Sequence, residues 1–178
     1  LSLRDDLAVL TPRLRRYAQG LCNAAQASNE TADALVQQTL RHALETGSLN
    51  PRSNVTIWVY ALLTQFHREA DSRLRGMNAA SDGHRVLSQT QAQQPIVQNG
   101  YPGGFGGVLA TLSLEEREAL LLVALEGFTY AQASSILRIS RAIFVARLGQ
   151  ARTALVKAMT PLPLPTLRRQ APHLRIVK

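Results

Sequence analysis

The stretch from Glu115 to Leu155, EEREALLLVALEGFTYAQASSILRISRAIFVARLGQARTAL, constrains the fold most. It spells two helices, their start signals and one tight break between them. Thr129 followed by Gln132 has the spacing of a capping box, in which each side chain satisfies an orphan backbone donor at the helix start. Ser140 can cap the next helix, directly after the Leu137-Arg138-Ile139 break. That second helix carries Arg141, Arg147 and Arg152, with Gln150 among them. A short helix, a brief turn and a basic helix is the layout of a helix-turn-helix, whose second helix enters a DNA major groove.

Composition agrees with an all-helical reading. Hydrophobic residues make up 46% of the 178-residue chain and aromatics only 5%, which favours helices packed by aliphatic ridges. The net charge of +8 implies an anionic partner, most simply nucleic acid. Half of that charge, Arg168, Arg169, Arg175 and Lys178, lies in an acid-free stretch from Thr160 onward. Cys22 is the single cysteine, so no internal disulfide is expected and a buried small hydrophobe is. No apolar run reaches the length of a membrane span and the amino terminus lacks a signal-peptide core, so the expectation is a cytoplasmic protein without membrane insertion.

Enzyme chemistry finds no footing. There is no paired-carboxylate site, no nucleophile–histidine arrangement and no phosphate-cradling glycine loop on a strand. YPGGFGG follows no strand and leads to no P-loop lysine, so it reads as linker. His67 has no cysteine or carboxylate cluster beside it to make a metal site. No cofactor, metal or small-molecule substrate is expected.

Along the chain, Leu7, Leu10, Leu14, Tyr17 and Leu21 form one helical stripe, with Pro12 expected to kink that helix or start a new one. Ser28 or Asn29 should cap a second helix running to about Thr46, with Ala32, Leu35, Val36, Thr39, Leu40 and Ala43 inward. After the turn-rich GSLNPRSN, a third helix is expected over about 53–75, its inner stripe including Ile57, Trp58, Ala61, Leu62, Gln65 and Phe66. Residues 77–107 read as a linker by their Gln- and Gly-rich composition, spanning roughly 30 Å as a flexible chain. Ser113 opens a further capping box. The expected organisation is a first lobe at 1–76, the linker at 77–107, a helix-turn-helix lobe at 108–160 and a basic Pro-rich tail at 161–178.

Three stretches, LTPRLRRYAQGL, ETADALVQQTLRHAL and the Glu115–Leu155 segment, carry a resemblance to the extracytoplasmic-function (ECF, group 4) bacterial sigma factors. Their wording is most similar to the general-stress-response branch of that family. EREALLLVALEGFTYAQASSIL is the most specific string, and RLGQAR resembles the family's Arg-Leu-x-x-Ala-Arg near the end of its recognition helix. The resemblance implies an all-α fold of two small lobes, a three-helix sigma region 2 lobe and a sigma region 4 helix-turn-helix lobe, joined by a flexible linker. It implies a transcription initiation factor whose partners are core RNA polymerase, promoter DNA and an anti-sigma factor.

Carried over residue by residue, the polymerase-binding positions are Asp33, Gln37, Gln38 and Arg41, with Ala34 and Gln38 standing where the family usually has acids. The −10 element would be read by Asn50, Arg52, Ser53 and Asn54 in the loop, and by Gln65, Arg68, Arg73 and Arg75 on the third helix. The −35 element would be read by Thr129, Tyr130, Ser140, Arg141, Val145, Arg147, Gln150 and Arg152. Ile139, Phe144, Leu148, Ala151 and Leu155 would face inward. Arg138 occupies a turn position that is commonly glycine in the family, which predicts a strained left-handed residue. Ile143 and Val145 stand on the outward face, where polar or basic residues are usual; they suit thymine methyls or an apolar protein contact.

Two readings follow. One is a working sigma factor. The other is a sigma-like module that captures the anti-sigma and lacks promoter activity, a reading favoured by the missing acids and the apolar outward residues. Such a regulator is expected to carry a receiver domain after its sigma-like half, and no such domain is read in the sequence to Lys178. The retained Arg147 and Arg152 favour DNA.

Overall fold

The computed structural model describes residues 2–24, 29–46, 54–81 and 104–159, and every regular element among them is a helix. The first lobe holds α1 (Leu3–Ala24), α2 (Asn29–Thr46) and α3 (Val55–Ser81). The second holds α4 (Gly104–Ala110), α5 (Leu114–Ala124), α6 (Tyr130–Leu137) and α7 (Arg141–Met159). Residues 82–103, the loop residues 47–53 and residues 160–178 lie outside the described set, as does Ser28.

α1 forms because its apolar residues recur every three to four positions: Leu7, Leu10, Leu14, Tyr17 and Leu21 are all buried. Ser2 and Asp5 start it, the Asp5 carboxylate accepting from the Ser2 amide at 3.1 Å. Pro12 neither restarts nor interrupts the helix, which runs unbroken from Leu3 to Ala24. Packing of the stripe on both sides of the proline outweighs the one lost backbone bond. The inner face of α2 is as expected, with Ala32, Leu35, Val36, Thr39 and Ala43 buried and Leu40 partly so.

α3 differs from its sequence reading. Its buried residues are Val59, Tyr60, Leu63, Thr64 and His67. The expected stripe at Ile57, Trp58, Ala61, Leu62 and Phe66 is only partly buried, and Gln65 is exposed. The first three turns are apolar all round, so periodicity alone cannot choose a face. The choice is made by packing on both sides: Tyr17 of α1 meets Tyr60 and Thr64, and Phe128 of the second lobe meets Tyr60. α3 also continues to Ser81, and α4 already begins at Gly104, so the helices claim residues from both ends of the expected linker. α4 is glycine-rich and intrinsically poor; burial of Val108 and Leu109 holds it in place.

The helix starts of the second lobe match their signals. Ser113 and Glu116 form a complete capping box on α5, as do Thr129 and Gln132 on α6. The Ser140 hydroxyl accepts from the Ile143 amide at the start of α7. Between α6 and α7, Arg138 has φ 55 and ψ 43, the left-handed conformation that its non-glycine side chain resists. Arg138→Gly is therefore expected to raise stability by up to about 1 kcal/mol, the relieved strain being partly offset by the greater freedom of an unfolded glycine. Thermal unfolding of the two forms checks this; a loss of stability would show that the Arg138 side chain contributes more than its backbone costs.

The two lobes share one continuous core. Tyr17 of α1 packs on Tyr60 of α3, and Tyr60 packs edge-on against Phe128 in the α5–α6 connection, with ring centroids 5.4 and 4.9 Å apart. Gly20 is the point of closest approach: a Cβ there would lie 3.1 Å from both methyls of Leu121.

Candidate nucleic-acid interface

α7 presents two distinct faces. Phe144, Leu148 and Ala151 are buried, with Ile139 and Leu155 packed partly against the core, as the inward stripe requires. Arg141, Ala142, Ile143, Val145, Ala146, Gln150 and Arg152 are exposed on the outside, and Arg147 is half-buried. Ile143 and Val145 retain 49% and 46% of their accessible surface, enough for a ligand to contact either. Tyr130 packs on Phe144, and its hydroxyl accepts a hydrogen bond from Arg152 at 3.4 Å, so the ring steadies that guanidinium. Thr129 caps α6 from an exposed position. The eight residues expected at the −35 element thus lie along the starts of α6 and α7 and the outer side of α7.

On α3 the candidates divide. Gln65 is exposed and donates to Glu69 at 3.0 Å, while Arg73 and Arg75 pair one turn back with Glu69 and Asp71 at 3.9 and 2.9 Å. Exposed pairs of this kind contribute little and exchange readily with a phosphate. Asn54 caps α3, its side-chain oxygen accepting from the Thr56 and Ile57 amides, so its carbonyl is spent locally. Asn50, Arg52 and Ser53 lie outside the described residues.

Arg68 is committed to the other lobe. Its Nε reaches both oxygens of Glu118 at 2.9 and 3.2 Å, and Nη2 closes on the same carboxylate. Glu118 has no exposed side-chain surface; burial pushes its carboxyl upward and Arg68 pulls it back. An open cleft of about 940 Å³ lies between the later turns of α3 and the second lobe, and Gln65, Arg68, Arg73, Arg75 and Arg147 all line it. Candidates for two promoter elements therefore meet across one cleft in this arrangement.

On α2, Gln37, Gln38 and Arg41 are exposed along one side, whereas Asp33 is half-buried and paired with Arg15 at 2.7 Å. Ala34 is exposed, leaving no charge at that point of the face.

The sequence reading missed a second cluster, around the α5–α6 turn. The Glu126 carboxylate is fully buried and accepts from Arg13 Nε at 3.1 Å, Arg16 Nε at 3.2 Å and the Tyr60 hydroxyl at 2.6 Å. Arg13 Nη2 also donates to the Glu126 carbonyl at 2.7 Å, and Arg13 lies over the Phe128 ring at 5.8 Å. Gly127, at φ 71, lets the chain turn at once behind this anchor. Burial and the neighbouring carboxylate push the Tyr60 hydroxyl well above its ordinary range, so it stays protonated and donates to Glu126. The available signal was faint: two arginines three apart in LTPRLRRY, with partners more than 100 residues away. His67 is buried too, and no group of metal-ligating side chains occurs among the described residues.

Two helical lobes, one ending in a capped helix-turn-helix with an exposed basic outer face, define a fold of the sigma type. Residues 7–64 match the family described as the Sigma2 domain of PhyR, and residues 109–155 that described as the sigma-like domain of response regulator PhyR. The chain is 33% identical over 157 residues to the ECF RNA polymerase sigma factor EcfG of Rhodopseudomonas palustris (strain TIE-1), covering 86% of this chain and 83% of that protein. It is similar to the sigma factor RpoE of Bartonella quintana, solved with the anti-sigma factor NepR: TM-score 0.67, 28% identity, 87% of this chain and 94% of that one. The PhyRSL–NepR complex of Sphingomonas sp. Fr1 shares the fold, with TM-score 0.60, 24% identity, and 92% and 94% covered. The chain belongs to the ECF RNA polymerase sigma factor family.

Proposed function

We propose that this protein directs core RNA polymerase to stress-type promoters and is held in check by an anti-sigma factor of the NepR kind. The observation that carries the proposal is the polarity of α7: Phe144, Leu148 and Ala151 are buried, while Arg141, Gln150 and Arg152 are exposed on a helix capped at its start by Ser140. Arginine recognises guanine edges and phosphates with the same planar fork. In this reading the outer side of α7 grips the −35 element, α3 and the loop before it open the −10 element, and Gln37, Gln38 and Arg41 of α2 meet the polymerase. The protein is a regulator, not an enzyme. Engagement of both elements requires the lobes to separate, because Arg68 is tied to Glu118 in the docked form.

The test is run-off transcription with purified core polymerase on a stress-type promoter. A promoter-dependent transcript is expected, and Arg141→Ala together with Arg152→Ala should reduce it at least tenfold, losing about 1–3 kcal/mol for each base-edge contact. A second reading has its own support in the exposed Ile143 and Val145, the uncharged Ala34, and the match of both lobes to PhyR families. Under it, the protein captures a NepR-type anti-sigma tightly and binds no polymerase, and Ile143 and Val145 substitutions weaken that capture.

A further inference from the structure

Every carboxylate that the structure pairs with Arg13, Arg16 or Arg68 belongs to the other lobe. The three donors lie on the first lobe, in α1 and α3, and the two acceptors, Glu118 and Glu126, on the second. The burial is lopsided. Both glutamate side chains have no exposed surface, whereas the three arginine side chains keep 38–53% of theirs. The acids are inserted between cations that remain at the surface.

We propose that Glu118 and Glu126 stand in for backbone phosphates, and that Arg13, Arg16 and Arg68, with the Tyr60 hydroxyl, form a phosphate-binding face for nucleic acid that is uncovered only when the lobes part. Arg13 and Arg16 are one turn apart on α1 and converge on one carboxylate. Tyr60 and Arg68 sit two turns apart on the same side of α3, about 12 Å by helix rise. The face therefore runs across two helices and is long enough for several successive phosphates. A carboxylate and a phosphate present the same chemistry to a guanidinium fork: two anionic oxygens for parallel hydrogen bonds. In the docked form none of the first-lobe acids Glu69, Asp71 and Asp33 pairs with these donors; their partners are Arg73, Arg75 and Arg15. Lobe docking and nucleic-acid binding thus compete for the same donors.

The inference goes beyond the sigma reading and rests on it only in taking nucleic acid as the ligand. Its test uses neither polymerase nor promoter, so its failure leaves that reading standing. The probe is a fluorescent mixed-sequence DNA duplex titrated with the full chain at several salt concentrations, with lobe separation followed by small-angle scattering. Glu118→Gln combined with Glu126→Gln keeps the side-chain shapes and removes the charges. Gly20→Leu opens the same interface sterically, against Leu121, without touching a charge. Both are expected to separate the lobes, to tighten duplex binding at least tenfold at low salt and to steepen the salt dependence of log K by about two to three, one counterion step for each freed arginine. Adding Arg13→Gln and Arg16→Gln to either variant should leave the lobes apart and remove about two of those steps. Parted lobes with an unchanged salt slope would overturn the proposal. So would lobes that stay docked after both glutamates are neutralised.

Discussion

Phe144→Ala is expected to unfold the second lobe. The ring has no exposed surface and packs against Tyr130 at a centroid distance of 5.7 Å, in the middle of the α5–α6–α7 core. Removing a fully buried aromatic costs about 3–5 kcal/mol through lost transfer energy and the cavity left behind. A lobe of this size starts with little in reserve, because small domains bury a low fraction of their surface. Circular dichroism should show the loss of much of the α4–α7 helicity at 37 °C, with the first lobe retained. The neighbouring substitutions Ile143→Ala and Val145→Ala should each change stability by less than about 0.5 kcal/mol, since both side chains are half-exposed. A large effect at Ile143 with none at Phe144 would mean that α7 is rotated from the orientation described.

That contrast was legible in the sequence because α7 alternates cleanly between faces, with Phe144, Leu148, Ala151 and Leu155 at spacings of three, four and seven. The caps were legible for the same reason: Ser113 with Glu116 and Thr129 with Gln132 are local pairs whose spacing is the mechanism. Arg138 was legible as a position of left-handed backbone. What escaped depends on contacts between elements far apart in the chain. In α3 the apolar residues go all round, so only contacts with distant elements, Tyr17 of α1 and Phe128 of the second lobe, decide that Tyr60 and Thr64 are inside. In α5 the charged triplet Glu116-Arg117-Glu118 looks like a solvated face, yet Arg117 and Glu118 are both buried. Glu126 carries no local signal and proves to be the anchor of the lobe interface. Of the candidate site, the outer face of α7 follows from periodicity. The occupation of Arg68 by Glu118 does not, since nothing local marks a partner 50 residues away.

Arg117→Met should destabilise the whole described fold by about 3 kcal/mol, the second large effect expected. Arg117 is buried and donates to the carbonyls of Leu109 and Leu112 at 3.1 Å each and to that of Leu21 in α1 at 3.4 Å. It therefore ties the α4–α5 turn to the end of α1, and methionine fills the space without supplying a donor. Hydrogen bonds from a charged donor contribute about 1.5–3 kcal/mol each, and relief of a buried cation with no carboxylate in hydrogen-bond contact offsets part of the loss. A second readout separates this from simple misfolding. Burial holds the His67 imidazole below its ordinary value of 6.5, Arg117 and Arg68 depress it further, and Asp71 opposes them. As pH falls through 6.5 the unfolded chain takes up this proton before the folded one, so the His67 contribution to stability is lost between 6.5 and the lower folded value. Glu118 acts with the opposite sign: its carboxyl, raised by burial, takes up a proton first in the folded state and so favours folding as pH falls toward its unfolded value. With Arg117 gone, His67 should titrate closer to 6.5 in the folded protein, seen by NMR of its ring protons, and the acid loss should start over a narrower window. Unchanged His67 titration alongside the stability loss would show that Arg117 acts through its carbonyl contacts alone.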